Sequence, residues 1–141
     1  MRFVHECALR WSDLDAYGHV NNSRFLTLYE EARVALFFIG ARRAGLTSFE
    51  DGIVIVRHEI DYLRPVDYGT GPDGAPRPPS VRVELWVEDV RSSRLTVVYE
   101  LFDGDSLASR ARSVCAPVNL ETMAPRRLSP DERAFLADWA A

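Results

Sequence analysis

The sequence is poor in sulfur and contains no long hydrophobic run. Its only cysteines, Cys7 and Cys115, lie in strand-like segments and not in a CxxC pair or a turn. We interpret both as small buried hydrophobic residues, because their surroundings favour neither a disulfide nor a nucleophile. No apolar stretch approaches the roughly 20 residues that span a bilayer, and the N-terminus lacks the hydrophobic core of a signal peptide. The sequence therefore predicts a cytoplasmic protein with no membrane partner.

Basic residues are outnumbered by acidic ones. Seventeen Lys and Arg against 21 Asp and Glu give a formal net charge of -4, and no basic block occurs. Nucleic-acid binding requires a basic surface, so we expect no such partner. His5 and His58 lie in strand-like segments without a second ligand at metal spacing, and we expect no metal and no cofactor. With 47% hydrophobic residues, the 141-residue chain is expected to fold as one domain over residues 1–141.

Polar side chains are concentrated between Trp11 and Asn22, directly before an amphipathic pattern. The apolar residues of this pattern recur at three- and four-residue steps and are Phe25, Leu28, Tyr29, Ala32, Leu36 and Ile39. They predict one buried face of a helix that begins near Asn22. Asp13 and Asp15 would then lie beside a helix N-terminus, where unpaired N–H groups and the helix dipole favour negative charge. This arrangement is typical of a hydrolytic site.

Alternating patterns predict an antiparallel sheet around this helix. The predicted strands are residues 3–9, 53–63, 81–88, 95–101 and 107–115. Short polar turns at residues 90–93 and 103–106 indicate hairpins, and the Gly- and Pro-rich residues 68–80 predict an exposed loop. Ser129 and Pro130 predict the start of a short C-terminal helix. Because one helix cannot cover both faces of the sheet, burial favours a dimer.

The polar run also carries a family resemblance. Asp13-Leu14-Asp15-Ala16-Tyr17-Gly18-His19-Val20-Asn21-Asn22, followed by Tyr29-Glu30-Glu31-Ala32-Arg33, resembles the 4-hydroxybenzoyl-CoA thioesterase family of hotdog-fold acyl-CoA thioesterases. Tyr62-Leu63-Arg64-Pro65-Val66 and the Arg91-Ser92-Ser93 turn are similar to later landmarks of that family. The resemblance implies an α+β hotdog fold, in which an antiparallel sheet wraps around one long central helix. It also implies a homodimer with two sites at the interface, or a homotetramer.

The resemblance implies hydrolysis of an acyl-CoA to CoA and a free carboxylic acid, and it assigns roles to residues of this chain. Asp15 would be the catalytic carboxylate, acting as nucleophile or general base, and the backbone N–H of Asn22 would be the oxyanion donor. His19 would either support the loop or help to bind substrate, and Asp13 would brace the loop or take part in catalysis. The resemblance also implies that the nucleotide of CoA contacts the turn formed by Arg91, Ser92 and Ser93. Arg64 at the end of a predicted strand is a second candidate for a phosphate contact, although each arginine can also be a solvated surface charge.

Two other functions fit the same residues. A non-catalytic module could bind an acyl-CoA or an acyl carrier protein on this fold. A hotdog dehydratase is disfavoured, because that reaction usually pairs a histidine with a carboxylate on another element, whereas His19 and Asp15 share one loop. The sequence leaves the acyl chain open, since the aromatic residues Phe25, Tyr29, Tyr62 and Trp86 could line an aliphatic or an aromatic pocket.

Overall fold

The fold consists of a five-stranded antiparallel sheet and a long helix. The computed structural model describes residues 1–141. The strands are β1 (Phe3–Ala8), β2 (Ile53–Tyr62), β3 (Ser80–Glu88), β4 (Leu95–Asp103) and β5 (Ser106–Pro117). The helices are α1 (Asn22–Val34), α2 (Ala41–Arg43) and α3 (Pro130–Asp138). The strand order is β1-β3-β4-β5-β2, so β1 and β2 are the edges of the sheet.

Helix α1 packs on the centre of the sheet and is held from both edges. The Tyr29 ring on α1 lies 4.8 Å from the Tyr99 ring on β4, measured between centroids. Cys7 on β1 donates its thiol to a backbone carbonyl of α1 at 3.6 Å, and Tyr62 at the end of β2 donates its hydroxyl to another at 2.8 Å. The sheet therefore wraps around the helix, which confirms the predicted α+β hotdog architecture. The predicted loop at residues 68–80 and the predicted C-terminal helix are also confirmed.

The long helix differs from the prediction in its last turns. A π-helical segment, Ala35–Gly40, separates α1 from α2. A π-helix has more residues per turn than an α-helix, so successive side chains are separated by a smaller angle around the helix axis. Phe37 is consequently buried, whereas Ile39, which the sequence predicts for the buried face, is 49% exposed. The prediction for Ile39 is wrong because a period of 3.6 residues does not hold across the π segment.

Strand β2 contains a bulge that the alternating pattern does not predict. The sequence predicts a single buried face made of Val54, Val56, His58, Ile60 and Tyr62. The register with β5 shifts between Ile55 and Arg57, which leaves Val56 without a partner residue and 47% exposed. Ile53 and Ile55 pack against the core before the bulge and Ile60 packs against it afterwards. The predicted buried face is wrong for Val56, and His58 and Tyr62 are exposed as well. The extra residue at the bulge reverses the alternation, which a constant period of two residues does not predict.

Both cysteines are buried and unpaired, as predicted. Burial raises the pKa of the Cys7 thiol to about 12 and that of Cys115 to about 11. Thiols with such high pKa values stay protonated at neutral pH and are poor nucleophiles. Their role is therefore in packing. None of the helices combines the length and apolar character needed to cross a bilayer.

Candidate active site

The polar loop before α1 is closed by a tight turn. The Asp15 N–H donates to the His19 carbonyl at 2.8 Å, and the Gly18 N–H donates to the Asp15 carbonyl at 3.1 Å. Gly18 has a φ of +79°, a left-handed conformation that glycine adopts without a steric penalty. The turn fixes Asp15 and His19 at the same end of the loop, next to the start of α1.

Asp13 braces this loop. Its side chain is buried and accepts the backbone N–H of Arg10 at 2.8 Å and the Arg10 guanidinium at 3.2 Å. The Arg24 guanidinium approaches the same carboxylate at 3.8 Å. A buried carboxylate needs such donors to offset its lost hydration. Both oxygens of Asp13 are therefore occupied by groups of the chain itself.

Asp15 has one fixed oxygen and one open oxygen. Its Oδ1 accepts the backbone N–H groups of Tyr17 at 2.8 Å and His19 at 3.2 Å. Its Oδ2 makes no hydrogen bond within the chain. The side chain is half-buried, so the open oxygen is positioned by its partner oxygen and is still accessible. A carboxylate in this state can take a proton from water or attack a carbonyl carbon.

Asn22 is the first residue of α1 and has a free backbone donor. The preceding Asn21 is the N-cap and accepts the Ser23 N–H at 3.0 Å. The Asn22 N–H lies at the start of the helix and makes no hydrogen bond within the chain, while its carbonyl accepts the Tyr62 hydroxyl at 2.8 Å. An unpaired N–H at a helix N-terminus is a donor for a negatively charged oxygen.

These groups line one cleft of about 390 Å³. Its polar lining includes Asp15, His19, Asn22 and Arg64, and its apolar lining includes Phe25 and Tyr62. The structure thus brings together four of the residues that the sequence singles out. The His19 Nε2 lies 3.5 Å from Oδ1 of Asp67, a carboxylate outside the loop. The Arg64 guanidinium makes no ion pair or hydrogen bond within the chain.

The Arg91-Ser92-Ser93 turn lies at the opposite end of the sheet. The turn directly precedes β4, which begins at Leu95. The cleft lies near Tyr62, which pairs with Ser109 on β5, and Ser109 in turn pairs with Leu101 near the other end of β4. The six residue steps from Leu95 to Leu101 span about 20 Å at the usual rise of a strand. Within one chain, the turn and the cleft are therefore not neighbours.

The C-terminal segment supports this distant turn. The Leu128 N–H donates to the Ser92 carbonyl at 2.8 Å, and the Arg133 guanidinium donates to the Arg91 carbonyl at 2.9 Å. Because these bonds use carbonyl groups of the turn, its side chains are left free for a ligand.

Two contacts at the cleft are not predicted by the sequence. Tyr62 is expected only as a possible pocket wall, and its hydrogen bond to Asn22 joins residues 40 positions apart. Asp67 next to His19 is not predicted at all. Only the position of Asp67, just beyond the Tyr62-Leu63-Arg64-Pro65-Val66 run, could have drawn attention to it.

Comparison with known families agrees with this geometry. The family model of the thioesterase-like superfamily matches residues 9–139. The chain belongs to the thioesterase-like superfamily. The narrower 4-hydroxybenzoyl-CoA thioesterase family stays a prediction from the motif. A search of curated proteins finds no match for the chain.

Solved structures of similar fold align with nearly the whole length of this thioesterase-like chain. A predicted thioesterase from Bacillus stearothermophilus is 25% identical, with a TM-score of 0.83 over 100% of this chain and 98% of that one. A thioesterase from Thermus thermophilus, solved with coenzyme A and Zn, is 26% identical, with a TM-score of 0.77 over 96% of this chain and 92% of that one.

A third structure supports the fold alone. The 1,4-dihydroxy-2-naphthoyl-CoA thioesterase from Synechocystis is 18% identical, with a TM-score of 0.77 over 98% of this chain and 97% of that one.

In the chain described here, no three His, Cys, Asp or Glu side chains are grouped in a way that could hold a metal ion.

Proposed function

We propose that this protein hydrolyses the thioester bond of an acyl-CoA, giving CoA and a free carboxylic acid. One observation carries the proposal: the open oxygen of Asp15 and the unpaired N–H of Asn22 belong to residues that line the same cleft. A nucleophile or base and an oxyanion donor are the two groups that acyl transfer needs. Membership of the thioesterase-like superfamily supports the same chemistry.

The reaction begins when the thioester carbonyl oxygen accepts the Asn22 N–H. Negative charge that develops on this oxygen is stabilised by a donor that is already in place at the start of α1. Asp15 Oδ2 then either attacks the carbonyl carbon, forming a mixed anhydride that water hydrolyses, or removes a proton from an attacking water. In both routes the C–S bond breaks, the electron pair leaves with sulfur, and the CoA thiolate is protonated.

The cleft also supplies groups for the rest of the substrate. The Phe25 and Tyr62 rings meet edge to face, with centroids 5.2 Å apart, and provide an apolar wall. Arg64 is an exposed cation at the same cleft and is suited to a phosphate of CoA. We assign Arg64 to the protomer that supplies Asp15.

The Arg91-Ser92-Ser93 turn would reach the cleft from a second protomer. If two copies pair antiparallel along β2, the Ile53 end of one strand lies beside the Tyr62 end of the other. The turn lies toward the Ile53 end of its own sheet, because Leu95 pairs with Cys115 and Cys115 pairs with Ile55. Such pairing would move the turn of one protomer toward the Asp15 cleft of its partner.

The test is an assay of free thiol release with a panel of aliphatic and aromatic acyl-CoAs. We expect hydrolysis of at least one of them, and the Asp15→Asn variant should lose about 10²–10⁴-fold in kcat. Asp138→Asn, which alters an exposed carboxylate at the end of α3, serves as the matched control and should keep wild-type activity. Circular dichroism establishes that both variants fold.

The same assay decides between turnover and simple binding. If the wild-type protein releases no thiol from any acyl-CoA or acyl carrier protein but binds one of them tightly, a non-catalytic binding module replaces our proposal. If Asp15→Asn keeps near-wild-type thiol release on the best substrate, the assignment of Asp15 is wrong.

A further inference from the structure

We infer that Tyr62 is a positioning residue, whose phenol holds Asn22 so that the free N–H of this residue faces the cleft. The inference rests on the proposed function, because it assigns to Tyr62 an effect on the oxyanion donor. It adds a residue 40 positions away from Asn22 to the parts that the reaction requires.

The geometry of the contact is specific. Tyr62 is the last residue of β2, and its backbone position is set by pairing with Ser109 on β5. From there its hydroxyl donates to the Asn22 carbonyl at 2.8 Å. No other side chain of the sheet makes a hydrogen bond to the first turn of α1. The end of β2 is thus tied directly to the residue that carries the unpaired donor.

The Tyr62 side chain is itself held in place. Its ring packs against Phe25, one turn along α1, with an interplanar angle of 84°. This edge-to-face contact limits the directions in which the phenol can point. Partial burial raises the pKa of the Tyr62 phenol, so the hydroxyl stays protonated and can donate at neutral pH.

The first turn of a helix needs such support if it is to serve as an oxyanion site. Terminal residues of helices open more readily than interior ones, because fewer hydrogen bonds hold them. Donors for an oxyanion act strongly only when they are fixed before the reaction, and displacements of about 1 Å can cost 10²-fold in rate. Loss of the Tyr62 hydroxyl should therefore lower kcat and leave substrate affinity nearly unchanged.

The experiment compares two Tyr→Phe variants on the best acyl-CoA substrate. Tyr62→Phe should lower kcat by about 10- to 100-fold with KM changed by less than about twofold, a smaller loss than removal of an oxyanion donor causes. Tyr99→Phe is the matched control, because it also removes one phenolic hydrogen bond, which Tyr99 accepts from the Arg33 guanidinium at 3.0 Å away from the cleft. We expect Tyr99→Phe to lower Tm and to keep kcat.

Amide hydrogen exchange provides a second measurement that does not depend on turnover. In Tyr62→Phe, amides of the first turn of α1 should exchange faster, while amides in the middle of the helix stay protected. Faster exchange together with reduced kcat and unchanged KM supports the inference.

Three results would overturn it, and they are distinguishable from failure of the proposed function. Wild-type kcat in Tyr62→Phe refutes the positioning role while acyl-CoA hydrolysis stands. A raised KM with unchanged kcat means that Tyr62 binds substrate instead. Unchanged exchange at the first turn shows that the phenol does not hold Asn22. If the wild-type protein itself hydrolyses no acyl-CoA, the proposed function fails and this role fails with it.

Discussion

Asp13 and Asp15 show how two identical side chains, two positions apart, acquire different tasks. Asp13 is 4% exposed and its carboxylate is enclosed by Arg10 and Arg24. Asp15 is half-buried and has an oxygen without a partner in the chain. A carboxylate whose oxygens are all bonded stabilises a loop, whereas one with a free oxygen can react.

This difference predicts that Asp13→Asn acts mainly on stability. The substitution weakens charge-assisted hydrogen bonds in a buried place, and we expect the free energy of unfolding to fall by about 1.5–3 kcal/mol. Its kcat should fall less than that of Asp15→Asn, because Asp13 does not line the cleft. Urea denaturation and thiol release measure the two effects. A larger loss of kcat in Asp13→Asn than in Asp15→Asn would reverse the two roles.

Substitution of Arg64 or Arg91 is expected to affect substrate binding more than turnover. Arg91→Ala should raise KM for acyl-CoA by more than it lowers kcat, because a remote phosphate contact contributes equally to the ground state and the transition state. Arg64→Ala should do the same, whereas Arg43→Ala, in an exposed position at the end of α2, is the control. Steady-state kinetics give both constants. An unchanged KM in Arg91→Ala would exclude its turn from CoA binding.

The sequence predicts the parts of the site whose residues are close together along the chain. Asp15 and His19 share one loop and Asn22 begins the helix that follows it, so spacing alone brings them together. The contacts from Tyr62 to Asn22 and from Asp67 to His19 join residues that are far apart in the chain, and a single sequence contains no periodic signal for such pairs. They follow only from where the sheet places the end of β2.

Among the elements, α3 is held by a buried ion pair at its first turn. Glu132 is fully buried, and its carboxylate accepts the Arg126 guanidinium at 2.8 Å and the Ser129 N–H at 2.8 Å. Burial alone would raise the pKa of Glu132, but the hydrogen bonds from Arg126 and Ser129 outweigh it and hold the pKa below its ordinary value. The ionised form is therefore favoured by folding.

Glu132→Gln should consequently destabilise the protein in a pH-dependent way. Because the folded pKa is lowered, the ionised group contributes its full stability above the ordinary pKa of about 4.5 and loses it as pH falls through the folded value. We expect the variant to be less stable by about 2–3 kcal/mol at pH 7, and the difference to shrink below about pH 5. Urea denaturation between pH 3 and pH 7 tests this, and a constant difference across that range would contradict it.

The elements themselves are predicted well where their geometry is regular. The Ser129 cap and the alternating residues of β3, β4 and β5 indicate their structures directly. The π segment and the β2 bulge are not predicted, because periodicity assumes a constant number of residues per turn or per pleat. Ile39 and Val56 are assigned to the wrong environment for this reason.

For the whole molecule, the sheet edges predict association. Exposed apolar residues lie along and just beyond β2, where Val56 and Tyr62 are each 47% exposed and Leu63 is 51% exposed. Just before β1, Arg2 instead forms ion pairs with Glu84 and Glu100, each at 2.9 Å, and Val4 of β1 is exposed. We therefore propose the β2 edge as the interface of a homodimer, which can pair further into a homotetramer.

Light scattering should give a mass two or four times the 16.0 kDa of one chain. Val56→Lys, which places a charge on the β2 edge, should shift this mass toward the single chain and reduce hydrolysis with it. Val4→Lys makes the same change at a residue of similar exposure on β1 and should leave the β2-paired dimer intact. A stable monomer at micromolar concentration in the wild type, or dissociation to monomers by Val4→Lys alone, would refute the β2 interface.

The bulge at Val56 also bears on how this protein avoids misassembly. A long, flat, regular edge strand can recruit any other exposed strand, and repeated addition of this kind produces fibres. A bulge increases the local twist and leaves one residue outside the ladder, so a random strand cannot pair along the full length of β2. In the proposed homodimer, the partner strand is a second copy of β2 and carries the same bulge. The bulge would then favour pairing with a second copy of β2 over pairing with other exposed strands, and would oppose the repeated strand addition that produces fibres.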